Sequence, residues 1–374
     1  MRRFLFALPL LLPLPAQAQT WFAESAQAIP SADSGWNTVT LEPARHRLFV
    51  ARHSDGLLVW DTRTRQAVTV ENSKGASGTV LVPEFNRAYV AMLDGTVLVL
   101  DLATLKPIAR TDLEAGDLTD GFYEPTQKRV HLITGSRPEK TTWVTLDAAT
   151  GQVVSRTEFN SRKMDRPVAG EAISGPGGSS GASPGGGPGT SPGGGSAGGP
   201  GGTEGAIYAT MRDRNLLLQL DPKDLSQQKT WKLGDCTQPV ASAWDAAAKR
   251  VLIACRGDKP VFVALDPAAG VVATVPIGRG VDGLVSDEAR HLIVTANGLD
   301  GTMSVIRQAG PNEYALVETI ATRPMARTVA IDPESHRLFS VTASFTQPAP
   351  GADGKTPPAF YHPDSFTILT YRPN

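Results

Sequence analysis

Apolar residues in this chain come in short runs, separated by clusters of Pro, Gly, Asp and Asn, and the runs return in a constant phase. The clearest series reads Leu48-Phe49-Val50-Ala51, Ala88-Tyr89-Val90-Ala91, Val130-His131-Leu132-Ile133, Ile207-Tyr208-Ala209-Thr210, Val251-Leu252-Ile253-Ala254, Leu292-Ile293-Val294-Thr295 and Leu338-Phe339-Ser340-Val341. The starts lie 40, 42, 77, 44, 41 and 46 residues apart. The long step contains a 30-residue tract of Gly, Pro, Ser, Ala and Thr, without which it is 47. A period of roughly 40–45 residues with about four strands per unit marks propeller blades. The pattern predicts an all-β chain folded as a seven-bladed β-propeller.

The unit is plainest in the first repeat. An innermost strand a, Thr38 to Leu41, turns at Glu42-Pro43 into strand b, Arg47 to Arg52. Ser54-Asp55-Gly56 leads to strand c, Leu57 to Trp60, and Asp61 opens a turn into strand d near Ala67 to Val70. The same punctuation returns as Val82-Pro83, Glu124-Pro125 and Asp332-Pro333 after strand a, and as Asp101, Asp147, Asp221 and Asp266 after strand c. Asp bonds its own downstream backbone and Pro presets φ, so each residue suits a turn for its own reason. Polar alternation within the strands is weak, as expected for sheets covered on both faces. The seventh repeat runs Thr328 to Ile331, Arg337 to Val341 and Phe366 to Tyr371, one strand short, while Trp21 to Ile29 has no repeat of its own. We expect that N-terminal segment to join blade seven and close the ring, which removes two open sheet edges.

Three further features refine this picture. Met1-Arg2-Arg3, the apolar run Phe4 to Leu14 and Ala16-Gln17-Ala18 form the n-region, h-region and small-x-small site of a signal peptide over 1–18. Cleavage after Ala18 predicts export to the periplasm or beyond of residues 19–374 as a single propeller, expected to be a monomer. Ser174 to Thr203, with 15 Gly in 30 residues, cannot bury enough apolar area to offset its ordering and is expected to be a disordered loop inserted in blade four. Cys236 and Cys255 are the two cysteines, and they fall at the same edge of one hairpin in blade five, so export predicts a disulfide between them.

Lys+Arg is 36 and Asp+Glu is 37, a balance that offers no electrostatic footprint for nucleic acid or an anionic membrane. No later segment is long and apolar enough to span a bilayer. Candidate chemistry therefore rests on position. In a propeller the d–a and b–c loops share one face around the central channel. Strand a starts there place Asn37, Asp120, Glu171, Gln238, Asp282 and Arg327, and the b–c side adds Arg52, His53, Arg137, Arg212, Arg256 and Asn297. Convergent polar groups at a concavity form a candidate ligand site, or else they solvate the channel and its loops. Asp120, Glu171 and Asp282 would offer oxygen ligands to a hard cation. The arginines would instead receive an anion, since guanidinium matches carboxylate and phosphate. His46, His291 and His336 fall in a–b turns on the opposite face, and the six histidines show no zinc spacing. There is no Gly-x-Ser-x-Gly elbow, and the Gly tract lacks the Gly-Lys-Ser/Thr of a phosphate loop. No cofactor is required by these residues, and no catalytic set emerges.

The repeat resembles the YVTN-type seven-bladed propeller family and, within it, the YncE-like exported bacterial proteins. The likeness is carried by Gly280-Val281-Asp282-Gly283 with Ile293 to Gly298, by Cys236-Thr237-Gln238-Pro239 with Ala254-Cys255-Arg256, and by Ala326 to Pro333. It spans nearly all of residues 30–372 apart from the Gly-rich tract. The resemblance implies a periplasmic or surface binding module or scaffold for a small ligand or a protein, and it brings no catalytic residues. Two alternatives stay open: a lactonase-type hydrolase using a channel-bound cation, and a propeller subunit of a periplasmic quinoprotein dehydrogenase.

Overall fold

Seven four-stranded antiparallel sheets stand around one axis. The protein is represented by a computed structural model that describes residues 20–32, 35–171, 205–351, 354 and 356–374. The expected signal peptide (1–18) and the body of the Gly-rich tract (174–203) lie outside the described residues. Among the described residues the only helical pieces are three single 3-10 turns, Pro43–Arg45, Pro83–Phe85 and Glu288–Arg290, each between strands a and b.

Blade one is Trp36–Glu42, Arg47–Arg52, Gly56–Asp61 and Ala67–Thr69, in sequence order from the axis outward. Blades two to six repeat that order, with innermost strands Ala76–Val82, Leu118–Glu124, Met164–Glu171, Pro239–Asp245 and Val281–Asp287. Blade seven takes Val329–Ile331, Leu338–Thr342 and Thr367–Pro373 from the C-terminal end, and its outermost strand is Trp21–Ala28 from the N-terminal end. Those two ends pair antiparallel, from Trp21 opposite Pro373 to Ala28 opposite Thr367. The expected closure is therefore observed.

The continuous apolar runs have a geometric cause. Successive side chains of a strand point to opposite faces, and here each face meets a different neighbour. In blade one, Leu48 and Val50 join the core shared with blade seven, while Phe49 and Ala51 join the core shared with blade two. Seven such inter-blade cores circle the molecule. Asp61, Asp101, Asp147, Asp221 and Asp266 each accept from backbone amides two or three residues on, as their turn role demands. Four residues after each comes a left-handed position: Arg65, Leu105, Gly151, Leu225 and Gly270. His46, His291 and His336 hold the equivalent left-handed position at the a–b turns, a conformation in which His is enriched.

Cys236 and Cys255 form the expected disulfide. Cys255 ends strand b of blade five, and Cys236 lies in the loop that leads into its strand a.

Candidate binding site at the channel mouth

Strand a of six blades carries a β-bulge in its first few residues, at Trp36/Val39, Ala76/Gly78, Leu118/Asp120, Asp165/Val168, Pro239/Ala241 and Val281/Gly283. A bulge adds one unpaired residue and re-aims its side chain. The extra residues include Asn37, Ser77, Thr119, Arg166 and Asp282, so polar groups gather where the innermost strands begin. Asn37 Nδ2 donates to Ser77 Oγ at 3.2 Å and to the Thr119 carbonyl at 2.5 Å, bridging three blades. Lys163 Nζ donates to Thr119 Oγ1 at 2.6 Å. Inner strands approach closely here: a Cβ on Gly283 would meet the Val329 amide nitrogen at 2.9 Å.

Two carboxylates, Asp165 buried and Asp282 largely enclosed, organise the cations. Asp282 pairs with Arg256 at 2.6 Å and with Arg327 at 3.3 Å. Burial alone would push its carboxyl up, but Arg256, Arg166, Arg327 and Arg212 together hold it below the ordinary carboxylate value. Asp165 pairs with Arg212 at 2.7 Å and lies 3.8 Å from Lys163. Its burial outweighs both cations, and Asp282 and Asp120 add to the upward shift. Arg256 is anchored by Nε donating to the Val281 carbonyl at 2.8 Å, and Arg327 by Nη2 donating to the Trp36 carbonyl at 2.7 Å. Arg327 also lies over the Trp36 ring, 5.4 Å from its centroid.

Beside this ring the same face opens into a cavity of about 550 Å³ between blades three, four and five. Its wall includes Arg137, Arg162, Lys163, Arg212, Asn215 and Gln238. The disulfide braces that wall. Gln238, in the left-handed region at φ 52°, follows Cys236 by two residues; its amide donates to Asn215 Oδ1 and its carbonyl accepts from the Arg256 amide.

The structure sorts the sequence-derived residues. Asn37, Asp120, Arg256, Asp282 and Arg327 belong to the ring; Asp120 accepts from the Arg166 amide at 3.2 Å. Arg137, Arg212 and Gln238 line the cavity. Arg137 is occupied by Asp117 and by the carbonyls of Ala115 and Asp117.

Three placements need correction. Glu171 is the last residue of strand a in blade four, so it sits on the opposite face, where it pairs with Lys249 at 3.1 Å. Arg52 is buried and turned outward to the Pro30 carbonyl and Thr69 Oγ1. Asn297 is buried and donates to Thr302 Oγ1 and Ser304 Oγ, which fixes the b–c turn of blade six. His53 is likewise enclosed, and burial, with Arg327 adding, lowers its imidazole below the ordinary value.

Asp165, Lys163, Arg162 and Arg166 escaped the sequence reading. The spacing of 45 residues from Asp120 to Asp165 would have found the first. Among the described residues no group of three or more His, Cys, Asp or Glu side chains is arranged to hold a metal ion. Asp120, Glu171 and Asp282 do not assemble, because Glu171 ends its strand at the other face.

No family model matches the chain, and no curated protein matches it in sequence. Solved structures do match in fold. A chain of the mitotic checkpoint complex crystal structure aligns with TM-score 0.67 at 11% identity, covering 100% of this chain and 98% of that one. A chain of the Kuenenia stuttgartiensis hydrazine synthase aligns with TM-score 0.61 at 11% identity, covering 83% and 94%. At such identity the likeness carries the propeller architecture alone.

Proposed function

We propose that this protein is an exported binding module of the YVTN, YncE-like kind, which takes a ligand over its loop face at the channel mouth. The observation that carries the reading is the row of bulges that turns polar and charged side chains to one end of the axis in an otherwise apolar ring of blades. Polar groups converging beside a cavity are what a ligand site requires. The leader-like sequence at 1–18 and the disulfide support an oxidising destination.

A thermal-shift screen of the chain against metals, sugar lactones, nucleotides and cell-wall fragments tests this. A ligand at a hundredfold excess over its dissociation constant stabilises by roughly 2.7 kcal/mol. Its effect should shrink in Arg327→Gln and in Arg212→Gln. A ligand whose binding survives both changes but is lost with Lys249→Ala on the opposite face would overturn the proposal. The cation-dependent hydrolase has little to rest on with Glu171 at the far face. The likeness to hydrazine synthase, a matter of fold, does not favour a redox role.

A further inference from the structure

We propose that the cavity between blades three, four and five is a site for a small anion bearing carboxylate or phosphate oxygens. This rests on the loop face being the binding face, and adds the chemistry of what binds there.

The cavity, about 550 Å³, has the size of a small-molecule site. Four of its lining side chains are cationic: Arg137, Arg162, Lys163 and Arg212. Asp213 and Asp258 are the two acidic ones. Asp213 is already engaged, accepting from Ser161 Oγ at 2.5 Å.

Three of the four cations are held in place by carboxylates, carbonyls or a hydroxyl, and the fourth, Arg162, keeps its full charge. Asp165 lies beneath the floor with its side chain 9% exposed, and it takes Arg212 through Nε at 2.7 Å. That contact leaves both Nη groups of a residue that lines the cavity. Lys163, 12% exposed, is fixed from the same side by Thr119. Arg137 is pinned by Asp117 and two carbonyls. Arg162 is exposed on the wall and forms no ion pair among the described residues.

Fixed guanidinium forks offer paired N–H donors in the geometry of a carboxylate or phosphate edge. Holding them before the ligand arrives lowers the ordering cost of binding. A cationic ligand would find four cationic side chains against two lining carboxylates, Asp213 and Asp258, and a neutral one would leave Arg162 and the Arg212 Nη groups without an acceptor.

The test uses the full chain with its disulfide intact. Isothermal titration at constant ionic strength compares succinate, citrate, inorganic phosphate and pyrophosphate with glucose and spermidine. The expected result is one-to-one binding of at least one anion, with the carboxylate and phosphate arms telling the two sources apart. Arg162→Gln should weaken it by roughly tenfold or more, the loss expected for a hydrogen bond to a charged group. Arg279→Gln removes the same charge from blade six on the same face, where Arg279 pairs with Asp300, and should change affinity less than about twofold.

Equal weakening by both variants would mean a diffuse field and overturn the site. Binding of glucose with no anion bound would overturn the charge assignment and leave the loop-face reading intact. Failure of every probe at millimolar concentration would overturn the anion site, while the loop-face reading stands or falls with the wider thermal-shift screen.

Discussion

Replacing Trp21 by Ala tests whether the chain's two ends hold the ring together. Trp21 is fully buried in the core between blades six and seven. Its Nε1 donates to the His336 carbonyl at 2.7 Å, and Arg290 lies over the ring at 4.6 Å from the centroid. Truncating a buried Trp costs about 3–5 kcal/mol in lost transfer energy and cavity. The His336 carbonyl left without its donor adds about 1 kcal/mol. Losing the Arg290 contact adds roughly 0.5–1 kcal/mol. The expected loss is therefore about 4.5–7 kcal/mol, a large share of the roughly 5–15 kcal/mol margin of an ordinary protein. Urea unfolding followed by far-UV circular dichroism reads it as a lower midpoint. Limited proteolysis gives a second readout, because a strand released from Thr367–Pro373 exposes the backbone near Ile29. A loss below about 1 kcal/mol, with unchanged proteolysis, would show that Trp21–Ala28 is an accessory strand and refute the closure argument.

Other expectations can be checked on the same preparation. Cys236→Ser should lower stability by roughly 3 kcal/mol, the loop-closure value for the 19-residue separation; a reductant should do the same to the parent chain, and no change in either would sink the reasoning. Asp282→Asn leaves its arginines without a counter-charge and should cost about 3–5 kcal/mol at neutral pH. Because the folded Asp282 sits below its ordinary value of 3.8, its contribution is full above that pH and is lost as pH falls through the folded value. A parent-minus-variant difference that stays flat from neutral to strongly acid pH would contradict this. His131 is buried against Phe122 and Trp143, and burial, with Arg129 adding, lowers its imidazole from 6.5 to about 3. Stability should then fall by up to about 1.4 kcal/mol per pH unit below 6.5, since the unfolded chain takes up a proton the folded chain refuses. His131→Phe should flatten that limb, and an acid slope identical to the parent's would count against it.

The blades could be read from residue types because each strand and turn depends on local chemistry. Asp147 caps its turn, Gly151 takes the left-handed position and Leu48 to Ala51 fill two cores at once, whatever surrounds them. The site was harder, because it depends on phase at the beginning of each innermost strand. In blade four that strand reads Met164-Asp165-Arg166-Pro167-Val168-Ala169-Gly170-Glu171, with few aliphatic residues. Pro167 falls at the bulge, where a strand tolerates a residue without an N–H. The Gly-rich tract begins three residues after Glu171 and hides the strand's end, so the residue pattern alone puts Glu171 at the wrong end and passes over Asp165. Arg52 and Asn297 failed for another reason. They end second strands, and these two termini bond to a neighbouring loop or to their own strand c, as Pro30 and Ser304 show, and not to the axis.

The antiparallel register of blade seven has a practical outcome for anyone handling the protein. Trp21 and Pro373 lie side by side at the a–b turn end of the molecule, close to His336, and the Gly-rich excursion leaves and rejoins the chain at that same end, after Glu171 and before Gly205. Trp21, Pro373, Glu171 and Gly205 are thus on the side away from Arg212, Arg256 and Arg327. A surface coupling placed beside Trp21 or Pro373 would leave the channel mouth facing outward, like a dish mounted from below.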